Sequence, residues 1–175
     1  MQSEGLGAVV RLKGPGFPDW SGFPIDAALR HTIDYSLENA ADISGSPEPE
    51  ILLIGTSAGG GAVAAVAADY ERISRILLMA PGSNIGMRKI INSLSRFTGE
   101  VYIVIGDQDD NVGTDSGQIY YDLAVNAGKR ELLIIPGCDH NFSQNGRIMS
   151  QTAIYALTKT TKPHFPDPEA GIILY

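Results

Sequence analysis

The chain has 175 residues, of which 43% are hydrophobic and 19% charged, and a formal net charge of −7. This length supports one domain around one core, taken here as residues 1–175, and the composition is that of a globular rather than a disordered chain. The acidic balance, with no run of Lys or Arg, argues against nucleic-acid binding, which needs clustered cations to displace counterions from phosphates.

The one cysteine, Cys138, cannot form an internal disulfide, so a disulfide-stapled secreted scaffold is excluded and a cytoplasmic location is expected. The opening MQSEGLGAVV carries Glu4 and lacks a charged segment followed by a long apolar stretch, so no signal peptide is expected. The longest apolar run, around Gly61–Ala68, is too short and too small in side-chain size to span a bilayer.

In chain order, Ala8–Leu12 (AVVRL) reads as a first strand and Gly14–Gly22 as a loop rich in Gly and Pro. Ile25–Ala40 places Ile25, Ala28, Leu29, Ile33 and Leu37 at helical spacing. After the loop Ser44–Pro49 come an apolar strand, Glu50–Ile54, and an Ala-rich helix, Ala58–Tyr70. Ile76–Ala80 is the next strand and Met87–Phe97 the next helix. Strand Val101–Ile105, helix Asp115–Ala127, strand Glu131–Ile135 and helix Ser143–Leu157 complete the pattern, and a Pro-containing tail follows.

The strands are apolar throughout rather than alternating, as expected of a parallel sheet covered on both faces. Alternating β and α elements give a three-layer α/β/α sandwich with a mainly parallel sheet. In such sheets ligands bind beyond the carboxyl ends of the strands. The polar and glycine-rich segments GTSAGG, GDQDDN and GCDHNF each follow a strand end, which places them on one rim.

Gly55-Thr56-Ser57-Ala58-Gly59 is a G-x-S-x-G sequence between an apolar strand and a helix, the context of a nucleophile elbow. The serine of such an elbow sits on a strained turn, which calls for small residues two positions away on each side. Ser57 also lies at a helix N-terminus, where the dipole and the Ala58 N–H favour a developing oxyanion. The bare pattern occurs by chance, and an ordinary Gly-rich turn is the plain alternative. A serine nucleophile needs a base. His31 falls mid-helix and His164 in the tail, whereas His140 follows the last strand on the same rim as Ser57. The base needs an acid, and Asp107, Asp109 and Asp110 all follow the fourth strand.

With these residues in place, the chain from about Ile25 to Thr160 resembles the α/β-hydrolase superfamily of serine esterases and lipases. The resemblance rests on the elbow (Ser57), the Gly-x-x-Asp-x-x-Val turn (Gly106, Asp109, Val112) and the histidine loop (Gly137, His140, Phe142). It implies a triad in the chain order Ser57, Asp109, His140, and it selects Asp109 over Asp107 and Asp110. It also implies a second oxyanion-hole amide from an early loop. The nearest equivalent is Lys13–Phe17, where Pro15 has no N–H and Gly16 or Phe17 would serve. The family has several strands before the elbow strand, and here there is room for one, so the fold is expected to be shortened at its front; the short connection between Ala80 and Val101, most of it one helix, is expected to leave no room for a cap domain.

The expected function is hydrolysis of small or short-chain esters or thioesters, with no cofactor and no metal. Exposed edges left by the short front predict a homodimer. Two other readings compete. ILLIGTSAGGGAVAA resembles a Rossmann turn, but no acidic residue closes the following strand to hold a ribose. A non-catalytic hydrolase-like binding or assembly domain is the other. Cys138 reads as a buried small residue rather than a nucleophile.

Overall fold

Four runs of aliphatic residues form one parallel sheet in the computed structural model, which describes residues 8–12 and 22–142. The strands are β1 (Ile51–Thr56), β2 (Ile73–Met79), β3 (Glu100–Gly106) and β4 (Lys129–Ile135), in the order β1-β2-β3-β4. All three pairings are parallel, with Leu53 beside Ile76, Ile76 beside Val101, and Val101 beside Arg130. Parallel neighbours need a crossover between them. These are the helices α3 (Ala58–Val66), α4 (Met87–Leu94) and α5 (Ser116–Leu123). Before the sheet, α1 (Ile25–Glu38) brings Ile33, Leu29 and Leu37 against the α3 side of the core, and the short α2 (Ala40–Ser44) follows it.

Successive side chains of a strand point to opposite faces, and the core divides accordingly. Ile76, Leu78, Val101 and Ile103 join the helix-side cluster with Val63, Ile90, Leu94 and Tyr120. Leu77, Met79, Tyr102 and Val104 pack on the other face with Ile135, Cys138 and Phe142. Ile76, Leu77, Leu78, Ile103 and Val104 are all 0% exposed. That two-sided burial is why β2 and β3 read as continuous apolar runs. Each fully buried aliphatic side chain contributes on the order of 1.5–3 kcal/mol.

The described sheet departs from expectation at its front. Ala8–Leu12 is not a strand: it has no ladder partner among the described residues, and Val9 and Val10 are 48% and 45% exposed. A β-branched composition favours a strand only where a neighbouring strand supplies hydrogen bonds and cover. The elbow strand β1, expected inside the sheet, is therefore an edge among the described residues, and Ile51–Ile54 are only partly buried. Element ends also move. α1 stops at Glu38, where the Asn39 amide donates to the Tyr35 carbonyl at 2.8 Å. The helix after β1 ends at Val66 and passes into a single 3-10 turn, Ala67–Asp69. The segment Ser143–Leu157, expected to be a helix, lies outside the described residues, as does most of the loop Gly14–Gly22. Among the described residues, no helix is long and apolar enough to cross a membrane.

Candidate active site

Ser57 joins β1 to α3 with φ 54° and ψ −124°, a region that residues with a side chain rarely occupy. Such a conformation costs about 1–3 kcal/mol and persists only where its surroundings over-determine it. Here they do. The Ser57 N–H donates to the Met79 carbonyl at 2.9 Å, and the Ser57 carbonyl accepts from Gly82 N–H at 2.9 Å and Gly61 N–H at 3.2 Å. Close backbone approach makes this arrangement possible. A methyl group at Gly55 would overlap the Gly59 carbonyl, and one at Gly61 would overlap the Gly82 carbonyl. A methyl group at Gly60 would meet the Gly55 carbonyl and Pro81 at 3.1 Å.

The second glycine of the G-x-S-x-G pattern behaves differently. A Cβ at Gly59 meets nothing within 4 Å among the described residues. Smallness is therefore required before the serine but not two residues after it. The helix-side requirement falls instead on Gly60 and Gly61. Those two pack against the strand and the loop after β2.

The turn after β3 buries Asp109 completely. Its Oδ1 accepts the N–H groups of Asn111 at 3.0 Å and Val112 at 3.1 Å. The carboxylate thus fixes its own turn and points away from solvent. Asp107 is exposed and accepts the Gly137 N–H at 2.7 Å, tying the acid turn to the histidine loop. Asp110 is exposed. The histidine loop is anchored on both sides of His140. Cys138 and Phe142 are 2% and 0% exposed in the second core cluster, and the Cys138 carbonyl accepts the Gln108 N–H at 3.0 Å. Burial, then Asp107 and Asp139, push the Cys138 thiol upward, so it stays protonated and a poor nucleophile.

These three loops bring Ser57, Asp109 and His140 together. His140 Nδ1 lies 2.9 Å from Asp109 Oδ2 and 3.1 Å from Oδ1, and Nε2 lies 3.0 Å from Ser57 Oγ. A carboxylate can only accept, so the tautomer that satisfies both contacts carries its proton on Nδ1 and turns the Nε2 lone pair toward the serine hydroxyl. His31 is exposed on α1, and His164 lies outside the described residues. The Ala58 N–H opens α3 beside Ser57. Gly16 and Phe17, expected to supply the second oxyanion donor, lie outside the described residues. No group of three or more His, Cys, Asp or Glu side chains is placed to hold a metal among the described residues.

Two supporting side chains escaped the sequence reading. Ser116 Oγ donates to the Pro81 carbonyl at 2.6 Å, and Tyr120 OH to the Gly82 carbonyl at 2.9 Å. They stand one helical turn apart on α5, 6% and 1% exposed, and clamp the loop that supports the elbow. Burial pushes the Tyr120 phenol well above its ordinary value. Their signal was the i, i+4 spacing of two hydroxyls on a helix, which names a face but not its partner. A cavity of about 310 Å3 opens beside Ser57, between this loop, the acid turn and α5.

No protein-family model matches the chain, and no curated protein matches it. Solved structures do. The esterase domain of a Rhodothermus marinus protein superposes with a TM-score of 0.59 at 16% identity, covering 79% of this chain and 67% of its own. Est1E from Butyrivibrio proteoclasticus gives 0.56 at 17%, with 74% and 65% covered. An alpha-beta serine hydrolase homologue from Coxiella burnetii gives 0.58 at 20%, with 88% and 66% covered. The chain thus spans about two thirds of the length of each. The fold is a shortened α/β-hydrolase fold, and at these identities the likeness establishes the fold alone.

Proposed function

We propose that this chain is a serine hydrolase that cleaves small or short-chain carboxylic esters or thioesters through Ser57, His140 and Asp109. The observation that carries the reading is the continuous contact from Asp109 Oδ2 through His140 to Ser57 Oγ, at 2.9 and 3.0 Å. As Ser57 Oγ attacks the substrate carbonyl carbon, His140 Nε2 takes its proton, and Asp109 holds the imidazolium. Negative charge moves to the carbonyl oxygen, to which the Ala58 N–H can donate. His140 then gives the proton to the departing alcohol or thiol, leaving an acyl-enzyme. Water attacks that ester with His140 as base, the acid leaves, and Ser57 regains its proton.

The preference for short substrates follows from the connection between β2 and β3. It spans residues 80–99, and α4 uses Met87–Leu94 of it, so it does not supply a cap. An alkyl chain left partly wet gains less than the ~0.8 kcal/mol per methylene of full burial. A fluorophosphonate probe tests the reading without knowledge of the substrate. Folded protein should be labelled at Ser57, and Ser57→Ala and His140→Ala should each abolish labelling. Folded wild-type protein that resists the probe overturns the reading in favour of a non-catalytic binding domain.

A further inference from the structure

The cavity beside Ser57 has a wall chemistry that the hydrolase reading leaves unused. Its volume, about 310 Å3, is at the low end of ligand pockets, which run roughly 300–1,000 Å3, so it has room for one small group. Among the described residues, no charged side chain lines it. Its polar wall is made by Ser83 and Asn84, from the loop after β2, and by Asn111, from the acid turn, all three exposed. The Asn84 Oδ1 lies over Gly82, as do a Val112 methyl group and the Ser57 backbone, which places its carboxamide beside the elbow. Of the other polar side chains of the cavity, Ser116 and Tyr120 are already engaged with backbone carbonyls and Ser57 with His140. Among the described residues, Ser83, Asn84 and Asn111 have no side-chain partner that would occupy them. Met87, Val112 and Ile119 supply an apolar surface alongside.

We infer that, given the hydrolase reading on which this rests, the ester carries a neutral, multiply hydroxylated group of about one sugar ring in size, held in this cavity. A carboxamide offers both donor and acceptor, as does each hydroxyl of a polyol, so Asn84, Asn111 and Ser83 can pair with adjacent hydroxyls in either sense. The C–H face of such a ring packs on Met87 and Ile119. A simple alkyl group of the same size offers the two carboxamides no hydrogen bond on the side it covers, whereas water in the empty site does. A charged group would meet no counter-charge among the described residues of the cavity wall.

Glucose 6-acetate and hexyl acetate share one acyl group and a six-carbon alcohol, so they isolate the hydroxyls. Acetate release should give kcat/KM at least tenfold higher for the sugar ester. Asn84→Leu with Asn111→Leu should reverse that ratio, and the variant's fold should be checked by circular dichroism. Equal or better hydrolysis of hexyl acetate by the wild type, or an unchanged ratio in the folded double variant, overturns the inference while labelling of Ser57 still upholds the hydrolase reading. If Ser57 is not labelled, ligand-observed NMR on the wild type decides the cavity alone. Binding of glucose 6-acetate in preference to hexyl acetate supports it, and the reverse order or no binding of either overturns it.

Discussion

β1 and β3 both end in a turn that bears one member of the site, yet the two strands hold their turns by different physics. β3 is paired on both sides, its residues Val101–Ile105 are wholly buried, and its turn is fixed by a side chain: the Asp109 carboxylate gathers two backbone N–H groups and the His140 ring. β1 pairs on one side among the described residues and is only partly buried, and its turn is fixed by backbone approach at Gly55, Gly60 and Gly61. A carboxylate fixes the turn after β3, while the absence of side chains fixes the turn that bears Ser57. The two turns should therefore fail differently when altered, the first in chemistry and the second in structure.

The largest effect is expected at the acid. Asp109→Asn keeps the shape of the turn but favours the wrong ring tautomer, and turnover of an activated ester should fall by about four orders of magnitude. Asp107→Asn keeps an oxygen to accept the Gly137 N–H, and Asp110 is exposed, so both asparagine variants should stay within about tenfold of wild type. Steady-state rates across the three variants decide it. Equal losses would mean that the acidic turn acts only as a diffuse field, and a dominant loss at Asp107 would move the acid by two residues.

Next comes Gly61→Ala. Its methyl group would overlap the Gly82 carbonyl, which already accepts the Tyr120 hydroxyl. Because backbone rather than a flexible side chain must move, a loss of about 3 kcal/mol is expected, read from the urea midpoint at unchanged slope. A Gly61→Ala protein as stable as wild type would show that the loop after β2 does not support the elbow.

How much of this was legible in the sequence follows the same division. The strands were readable because both faces of β2 and β3 are buried, which leaves an apolar residue at almost every position. The placement of Ser57 and His140 on one rim was readable because each follows the carboxyl end of a strand. The choice of Asp109 among three neighbouring carboxylates came from the family resemblance, since nothing in GDQDDN tells which side chain turns inward. Ala8–Leu12 was misread because strand composition is local while strand pairing is not. Ser116 and Tyr120 stayed hidden because the carbonyls they hold lie 35 and 38 residues away in the chain.

The side of β1 that has no neighbour among the described residues leads to a third, weaker effect. An edge strand with unpaired backbone groups is a template for another strand, and β1 has Ile51–Ile54 half-covered along that edge. Self-association is expected at micromolar concentration, pairing the β1 edges of two copies. Sedimentation equilibrium should then give a species heavier than the 18.7 kDa chain. A single species at the monomer mass across that range would mean that the edge is covered within one chain, and the contrast between the two strands would narrow to their turns alone.

The smallest effect is the sharpest test of how the elbow works. If both glycines of G-x-S-x-G were needed for the strained serine, Gly55→Ala and Gly59→Ala should be equally damaging. The geometry separates them. A methyl group at Gly55 would overlap the Gly59 carbonyl, whereas one at Gly59 meets nothing within 4 Å among the described residues. Gly59 is also the second residue of α3, and alanine in a helix is favoured over glycine by roughly 0.5–1 kcal/mol, through the entropy that glycine loses on folding. The Gly59→Ala protein should thus unfold at an equal or slightly higher urea concentration, with Ser57 still reactive toward a fluorophosphonate. Gly55→Ala should lose both stability and reactivity. Should Gly59→Ala be as destabilised as Gly55→Ala, the elbow would depend on smallness on both sides of Ser57, and the assignment of the helix-side close approach to Gly60 and Gly61 would be wrong.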